Sequence, residues 1–222
     1  MILAEKILSF LQNLSAPPLP PGVDVMNPYR DNTVWNLCES FYKKYYNDDR
    51  SRLLVLGINP GRYGGGTTGI PFTDPVKLNR HCDIPNVLPQ RAELSADFIY
   101  QVIEACGGPE KFYSRIYISA VCPLGFTRNG KNMNYYDDKT LLAAVSGFCI
   151  QSIRQQLSFG LIRNRVYCLG EGKNFEFLQQ VNQEHQLFGE IVPLPHPRFI
   201  MQYKRKELNK FLAIYLRILE LS

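Results

Sequence analysis

The sequence predicts an α/β chain, a three-layer α/β/α arrangement around a central four-stranded parallel sheet. Three observations lead there. Short apolar runs alternate with amphipathic helical patterns along the 222 residues, an order that produces parallel strands joined by helical crossovers. The stretch at 52–57 (RLLVLG) reads as a strand buried on both faces, as strands of parallel sheets are. No internal repeat and no linker divides the chain, so residues 1–222 are expected to form one domain.

Each element follows from its local pattern. Ile2, Leu3, Ile7, Leu8, Leu11 and Leu14 recur at helical spacing, and the proline cluster Ala16–Gly22 stops that helix. Trp35, Cys38, Phe41, Tyr42 and Tyr45 form the stripe of a second helix. The first strand, 52–57, runs into a long glycine-rich loop. Leu94, Phe98, Ile99, Val102, Ile103 and Cys106 then mark a helix closed by Gly107-Gly108-Pro109. Arg115–Val121 is the second strand, and Cys122–Asp137 reads as a polar loop with few apolar anchors. Asp137 or Asp138 caps a helix carrying Leu141, Leu142, Val145, Phe148, Cys149 and Ile153. Arg165–Leu169 is the third strand, Asn174–Val181 a helix, Glu190–Leu194 the fourth strand and Leu208–Leu219 the closing helix.

Composition narrows the function classes. Hydrophobic residues at 45% and charged residues at 20% fit a soluble globular chain rather than a disordered one. No apolar stretch approaches the ~20 residues that span a bilayer. The first fourteen residues have polar side chains at every turn and no small-residue cleavage site, so they read as an amphipathic helix rather than a signal peptide. A cytoplasmic location and no membrane partner are expected. The six cysteines are widely spaced without a CxxC pair, which fits reduced core thiols and not a zinc or iron–sulfur site. No metal and no cofactor are expected. The net charge of +5 permits a polyanionic partner, and from His196 onward six basic residues face two acidic ones.

Ligands of open parallel sheets bind beyond the carboxyl ends of the strands. That rule selects Gly57–Gly66, Cys122–Phe126, Gly170–Lys173 and Pro195–Phe199. The run Leu53–Pro75 (LLVLGINPGRYGGGTTGIPFTDP) is the most informative of these. Its glycines let backbone amides approach a ligand, Asn59 offers a positioned carboxamide, and Phe72 a flat apolar face. A nucleobase fits such a pocket. If the first and fourth strands lie near each other, Asn59 and His196 face one cavity. An amide can then orient water while an imidazole stabilises a leaving anion. Simpler roles stand beside these: Asn59 as a turn cap, Phe72 as a core ring, and Asp74 as a helix cap. Gly64–Gly66 reads as a mobile loop tip or a phosphate cradle, and Lys204–Lys206 as a solvated helix start or a phosphate-facing run.

The sequence resembles the uracil-DNA glycosylase superfamily, most closely its single-strand-selective monofunctional (SMUG) branch, in a divergent bacterial-type form. The first motif of that family, GMNPGxFG…TGVPFGE, is similar to Gly57-Ile58-Asn59-Pro60-Gly61-Arg62-Tyr63-Gly64 followed by Thr68-Gly69-Ile70-Pro71-Phe72. The likeness extends through Met26-Asn27-Pro28-Tyr29, Cys106-Gly107-Gly108-Pro109-Glu110, Cys122-Pro123-Leu124 and His196-Pro197. The resemblance implies the glycosylase fold and a monofunctional enzyme that extrudes and excises uracil or related deaminated or oxidised bases from DNA. Asn59 matches the residue that positions the attacking water, and His196 the one that hydrogen-bonds the departing base. Phe72 matches the stacking ring. Gly57, Ile58, Gly61, Tyr63, Ser119 and Ala120 are implied around the base, with Gly61 leaving room for a 5-substituent. The resemblance places Arg198 and Phe199 in the segment pushed into the duplex, and Arg62, Lys204 and Arg205 are candidate DNA contacts on their charge, with DNA, single- or double-stranded, as the partner. A monomer is expected.

Two departures stand out. The family's pyrimidine-reading asparagine is absent from Ser119-Ala120-Val121-Cys122-Pro123, so Ser119, Asn129, Asn132 or Asn134 would have to replace it. His196-Pro197-Arg198-Phe199 replaces HPSPR. No lysine lies in the motifs at the first and fourth strands, so a Schiff-base step is not expected. Two other readings remain. One is a nucleotide enzyme using the glycine-rich loop, although no GK[ST] or GxGxxG pattern accompanies it. The other is a nucleic-acid-binding module without catalysis.

Overall fold

The computed structural model describes residues 1–221. In chain order the elements are α1 (Leu3–Gln12), β1 (Asp24–Met26), α2 (Asn32–Tyr45), β2 (Leu53–Gly57), α3 (Gly65–Thr68), α4 (Pro75–Cys82), α5 (Leu94–Ala105), α6 (Pro109–Arg115) and β3 (Ile116–Ala120). They continue with β4 (Gly125–Arg128), β5 (Lys131–Met133), α7 (Lys139–Leu157), β6 (Ile162–Leu169), α8 (Lys173–His185), β7 (Glu190–Leu194), α9 (Pro197–Tyr203) and α10 (Leu208–Ile218).

The main sheet is four-stranded and parallel, in the order β3-β2-β6-β7. Successive residues of a strand point to opposite faces. Leu54, Val55 and Leu56 of β2 and Val166–Leu169 of β6 are all buried, so helices cover both faces of the sheet. β7 is half-buried and lies at the edge, where Pro193 forfeits no interior ladder bond. Arg52 precedes β2 rather than belonging to it. Its buried guanidinium donates to the Tyr113 carbonyl (2.7 Å) and to Asp48 (2.7 Å).

Local chemistry fixes the helix starts. Asp31 caps α2 by accepting from the Thr33 and Val34 amides, and Asp138 rather than Asp137 caps α7 through Thr140 and Leu141. Asp74 caps α4 through the Lys77 amide, the helix-cap role that the sequence offered for it. Gly107-Gly108-Pro109 closes α5 and also opens α6, with Pro109 in its first turn.

The largest departure from expectation is Cys122–Asp137. It is not an unanchored polar loop: Leu124, Phe126 and Tyr135 are fully buried. β4 and β5 form a hairpin that pairs with β1 in a second, antiparallel sheet ordered β1-β4-β5. Asn129 and Gly130 turn it with φ of 50° and 69°, as a two-residue hairpin with two left-handed positions requires. Gly125 lets this sheet close on the first motif, since an added β-carbon would lie 2.6 Å from the Pro60 carbonyl oxygen. Among the described residues no helix is long and apolar enough to cross a membrane. All six cysteines are buried and unpaired.

Candidate active site

A cleft of about 630 Å³ opens at the carboxyl ends of the four parallel strands. The turn after β2, the end of β3, the loop after β6 and His196 after β7 all contribute to its wall, and the β4–β5 hairpin adds Asn132 and Met133. β6 separates β2 from β7, so the first and fourth predicted strands are two spacings apart, about 10 Å. The cleft spans that distance, and both Asn59 and His196 line it.

The Asn59 carboxamide is held on both ends. Nδ2 donates to the carbonyls of Met133 (3.1 Å) and Pro60 (3.3 Å), and Oδ1 accepts from the Tyr135 amide (3.0 Å). The Tyr135 hydroxyl in turn donates to Asn174 Oδ1 (2.8 Å), and Asn174 Nδ2 donates to the Leu169 carbonyl (3.3 Å). The hairpin segment thus ties Asn59 to α8 and the end of β6. With both Nδ2 hydrogens engaged, the second lone pair of Oδ1 is left to accept from water in the cleft.

Phe72 has φ of 54°, a left-handed conformation that is unfavourable for a bulky side chain and is tolerated where the surroundings dictate it. Its ring packs on the backbone of Gly57: a β-carbon there would lie 2.8 Å from Phe72 Cε2. The ring centroid is 6.2 Å from that of His196, with an interplanar angle of 50°.

His196 is the N-cap of α9, and its Nδ1 accepts from the Arg198 amide (3.1 Å). That bond fixes the neutral tautomer, with the proton on Nε2. Burial, with the Arg198 charge adding to it, pushes the imidazole down to about 4. The ring is therefore an uncharged donor at neutral pH.

The Uracil DNA glycosylase superfamily model matches residues 43–220. The chain belongs to the uracil DNA glycosylase superfamily. Within it the chain is SMUG-like: it is 46% identical to the protein in the crystal structure of wild-type SMUG2 from Pedobacter heparinus, with a TM-score of 0.96 over 99% of this chain and 97% of that one. It is 25% identical over 138 residues to the single-strand selective monofunctional uracil-DNA glycosylase of Rattus norvegicus, covering 54% of this chain and 48% of that protein. The Mus musculus counterpart is 26% identical over 134 residues, covering 52% and 47%. The chain spans about half the length of these curated relatives.

Of the residues that the superfamily motifs select, Gly57, Ile58, Asn59, Gly61, Phe72, Ser119, Ala120, His196, Arg198 and Phe199 line the cleft. Tyr63 does not. Its ring packs under the guanidinium of Arg91, 3.6 Å from the centroid, with the exposed Arg62 on it at 5.1 Å. The Tyr63 ring is thus engaged in cation–π contacts outside the cleft. Lys204 and Arg205 also lie outside the cleft. Lys204 pairs with Glu207 (3.2 Å), and Arg205 borders a separate surface cavity with Lys77, His81 and Glu104. Gly64–Gly66 is the start of a short helical turn. The amides of Gly66, Thr67 and Thr68 are donated to the carbonyls of Gly61 and Gly64, which winds the segment into α3.

Sequence reasoning missed Tyr135 and Asn174, which brace Asn59, and Gln202 and Tyr203, which line the cleft from α9. It also missed Glu93, a lining carboxyl raised by burial against the opposing pull of hydrogen bonds toward Ser95 and Ala96. The hairpin did leave a signal, the Asn129-Gly130 dipeptide between alternating residues. Of the candidate base readers, Asn129 sits in the hairpin turn, whereas Ser119, Asn132 and Asn134 line the cleft. Asn132 Oδ1 accepts from the Arg62 amide (3.2 Å), and Asn134 pairs with Asp137 (3.3 Å). Among the described residues no group of three or more His, Cys, Asp or Glu side chains is placed to hold a metal ion.

Proposed function

We propose that this protein is a monofunctional DNA glycosylase that extrudes uracil or a related deaminated or oxidised base from DNA and hydrolyses its glycosidic bond. One observation carries the reading: a braced carboxamide and a neutral imidazole donor line a single cleft together with an aromatic ring held on a left-handed backbone. The names of the relatives support the substrate class.

The extruded base stacks on Phe72, and the cost of unstacking is a few kcal/mol, least at mispaired or single-stranded sites. As the bond breaks, positive charge builds on the sugar and negative charge on the base. His196 Nε2–H donates to the base; one such donor is typically worth about 2.7–4 kcal/mol. An amide is too weak a base to deprotonate water, so Asn59 Oδ1 only aims it. The reaction accordingly depends on leaving-group stabilisation more than on nucleophile activation. Gly61 leaves space beside the base, since a β-carbon there would meet only Asn132 Nδ2, at 3.4 Å. Ser119 and Asn132 replace the missing amide as readers of the base edge, which favours a substrate range wider than uracil. Arg198 and Phe199 enter the stack vacated in a duplex.

The test is cleavage of a uracil-containing oligonucleotide after alkali treatment, extended to 5-hydroxymethyluracil, hypoxanthine and xanthine in single and double strands. Wild type is expected to excise, and Asn59→Ala and His196→Ala each to lower excision by orders of magnitude while remaining folded. Wild-type rates in both variants would remove the assignment.

A further inference from the structure

Helix α9 buries one side and leaves the other open in an unusual way. Pro197, Ile200 and Met201 are buried, and α9 packs along α5. The opposite side carries Arg198, Phe199, Gln202 and Tyr203, all of which line the cleft. An exposed helix side is ordinarily polar, yet Phe199 is 44% exposed and Tyr203 67%. Among the described residues these are the only large aromatic side chains left so open. They stand at i and i+4, with ring centroids 5.7 Å apart and planes inclined by 45°.

Building on the glycosylase reading, we infer that Tyr203 extends the wedge position of Phe199 into a two-ring stacking platform for an unpaired nucleobase next to the extruded one. The occupant follows from three features. The rings continue the wall of the cleft that takes the damaged base, so an adjoining nucleotide is the group that reaches them. Four basic residues and no acidic residue occur between Arg198 and Lys206, which suits a phosphate backbone alongside. Aromatic side chains beside basic ones are the means by which proteins hold single strands without reading their sequence.

The spacing decides how the rings are used. A base slotted between two rings needs two stacking gaps, roughly 6.8 Å at 3.4 Å per step. A separation of 5.7 Å at 45° is too narrow and too tilted for that. The neighbouring base therefore stacks on the outward face of Tyr203, with Phe199 as its inner support. In a duplex that neighbour is already stacked and paired, and its faces are unavailable. Tyr203 thus acts on single strands, whereas the less exposed Phe199 acts on duplexes as a wedge.

The experiment uses single-stranded oligonucleotides with a tetrahydrofuran abasic analogue and 2-aminopurine at successive positions on either side of it. The wild-type protein should quench 2-aminopurine at one neighbouring position. Tyr203→Leu should abolish that quenching and weaken single-strand binding about tenfold, while duplex binding changes less than about twofold; Tyr203→Phe should behave as wild type. Because the side chain is exposed, Tm should be unchanged in both variants. Unaltered quenching and affinity in Tyr203→Leu, or equal losses on single and double strands, would overturn the inference. So would concentration-dependent self-association that Tyr203→Leu abolishes, since the rings would then serve a second copy of the chain. Uracil excision by wild type, measured in parallel, separates the two levels. Excision with an inert Tyr203 rejects the platform alone, and no excision of any lesion rejects the glycosylase reading.

Discussion

Gly57→Ala tests how the pocket is built. The added β-carbon would lie 2.8 Å from Phe72 Cε2 and 2.9 Å from Cζ, whereas carbon atoms in good contact sit about 3.5 Å apart or more. The ring edge must therefore recede by about 0.7 Å. Phe72 already has an unfavourable φ of 54°, so the backbone has little freedom to absorb the shift, and the ring gives way within the cleft it lines, where the proposed function seats the base. A misplacement near 1 Å at a reacting centre costs roughly 100-fold in rate. We expect single-turnover excision of uracil to fall by roughly 10- to 100-fold. The stability cost should sit near the low end of the ~1–3 kcal/mol typical of overpacking, because the ring is only half-buried and can move outward. Gly147→Ala on the exposed side of α7 is the control: its β-carbon meets nothing within 4 Å, and it should change the rate little. Phe72→Leu should relieve the clash, so the double variant should be non-additive. A Gly57→Ala protein that excises at the wild-type rate would refute the idea that this glycine sets the position of Phe72.

Three further outcomes are expected. Burial lowers the His196 imidazole from 6.5 to about 4 in the folded protein, so between those values the unfolded chain binds the extra proton. Stability from this residue is then intact above pH 6.5 and falls progressively toward pH 4. The difference in urea midpoint between wild type and His196→Gln should grow across that window in this direction, and a flat difference would contradict it. Tyr135→Phe removes the 2.8 Å bond to buried Asn174, at a cost of about 1–3 kcal/mol for the orphaned acceptor. Because the Tyr135 amide braces Asn59, the single-turnover rate should fall while DNA affinity holds; lost stability with an unchanged rate would reject the brace. Asp74 is fully buried, accepts from the Lys77 and Glu93 amides (both 2.9 Å) and lies 3.6 Å from Lys77 Nζ. Asp74→Ala should cost about 3 kcal/mol by urea unfolding, and a loss below about 1 kcal/mol would show that water replaces the carboxylate.

The sequence by itself determined the main sheet. The runs at 52–57, 115–121, 165–169 and 190–194 correspond to β2, β3, β6 and β7: the interior strands β2 and β6 and the covered edge strand β3 are apolar on both faces, and the half-buried edge strand β7 still keeps a short apolar run between helical patterns, a local and dense signal. The same logic put Asn59 and His196 at strand ends, where ligands of such sheets gather. Tertiary structure decided what no window of sequence contains. The hairpin from Gly125 to Met133 is polar at its turn and is held by β1, about a hundred residues earlier in the chain, and by the first motif through Asn59 and Arg62; those long-range contacts bring Asn132 and Met133 into the cleft. The brace from Tyr135 to Asn174 is likewise a contact between distant segments. Tyr63 lies outside the cleft, with its ring against the guanidinium of Arg91, 28 positions away. Periodicity records how a residue relates to its neighbours in the chain, but a cleft is made by neighbours in space, and long-range packing alone selects those.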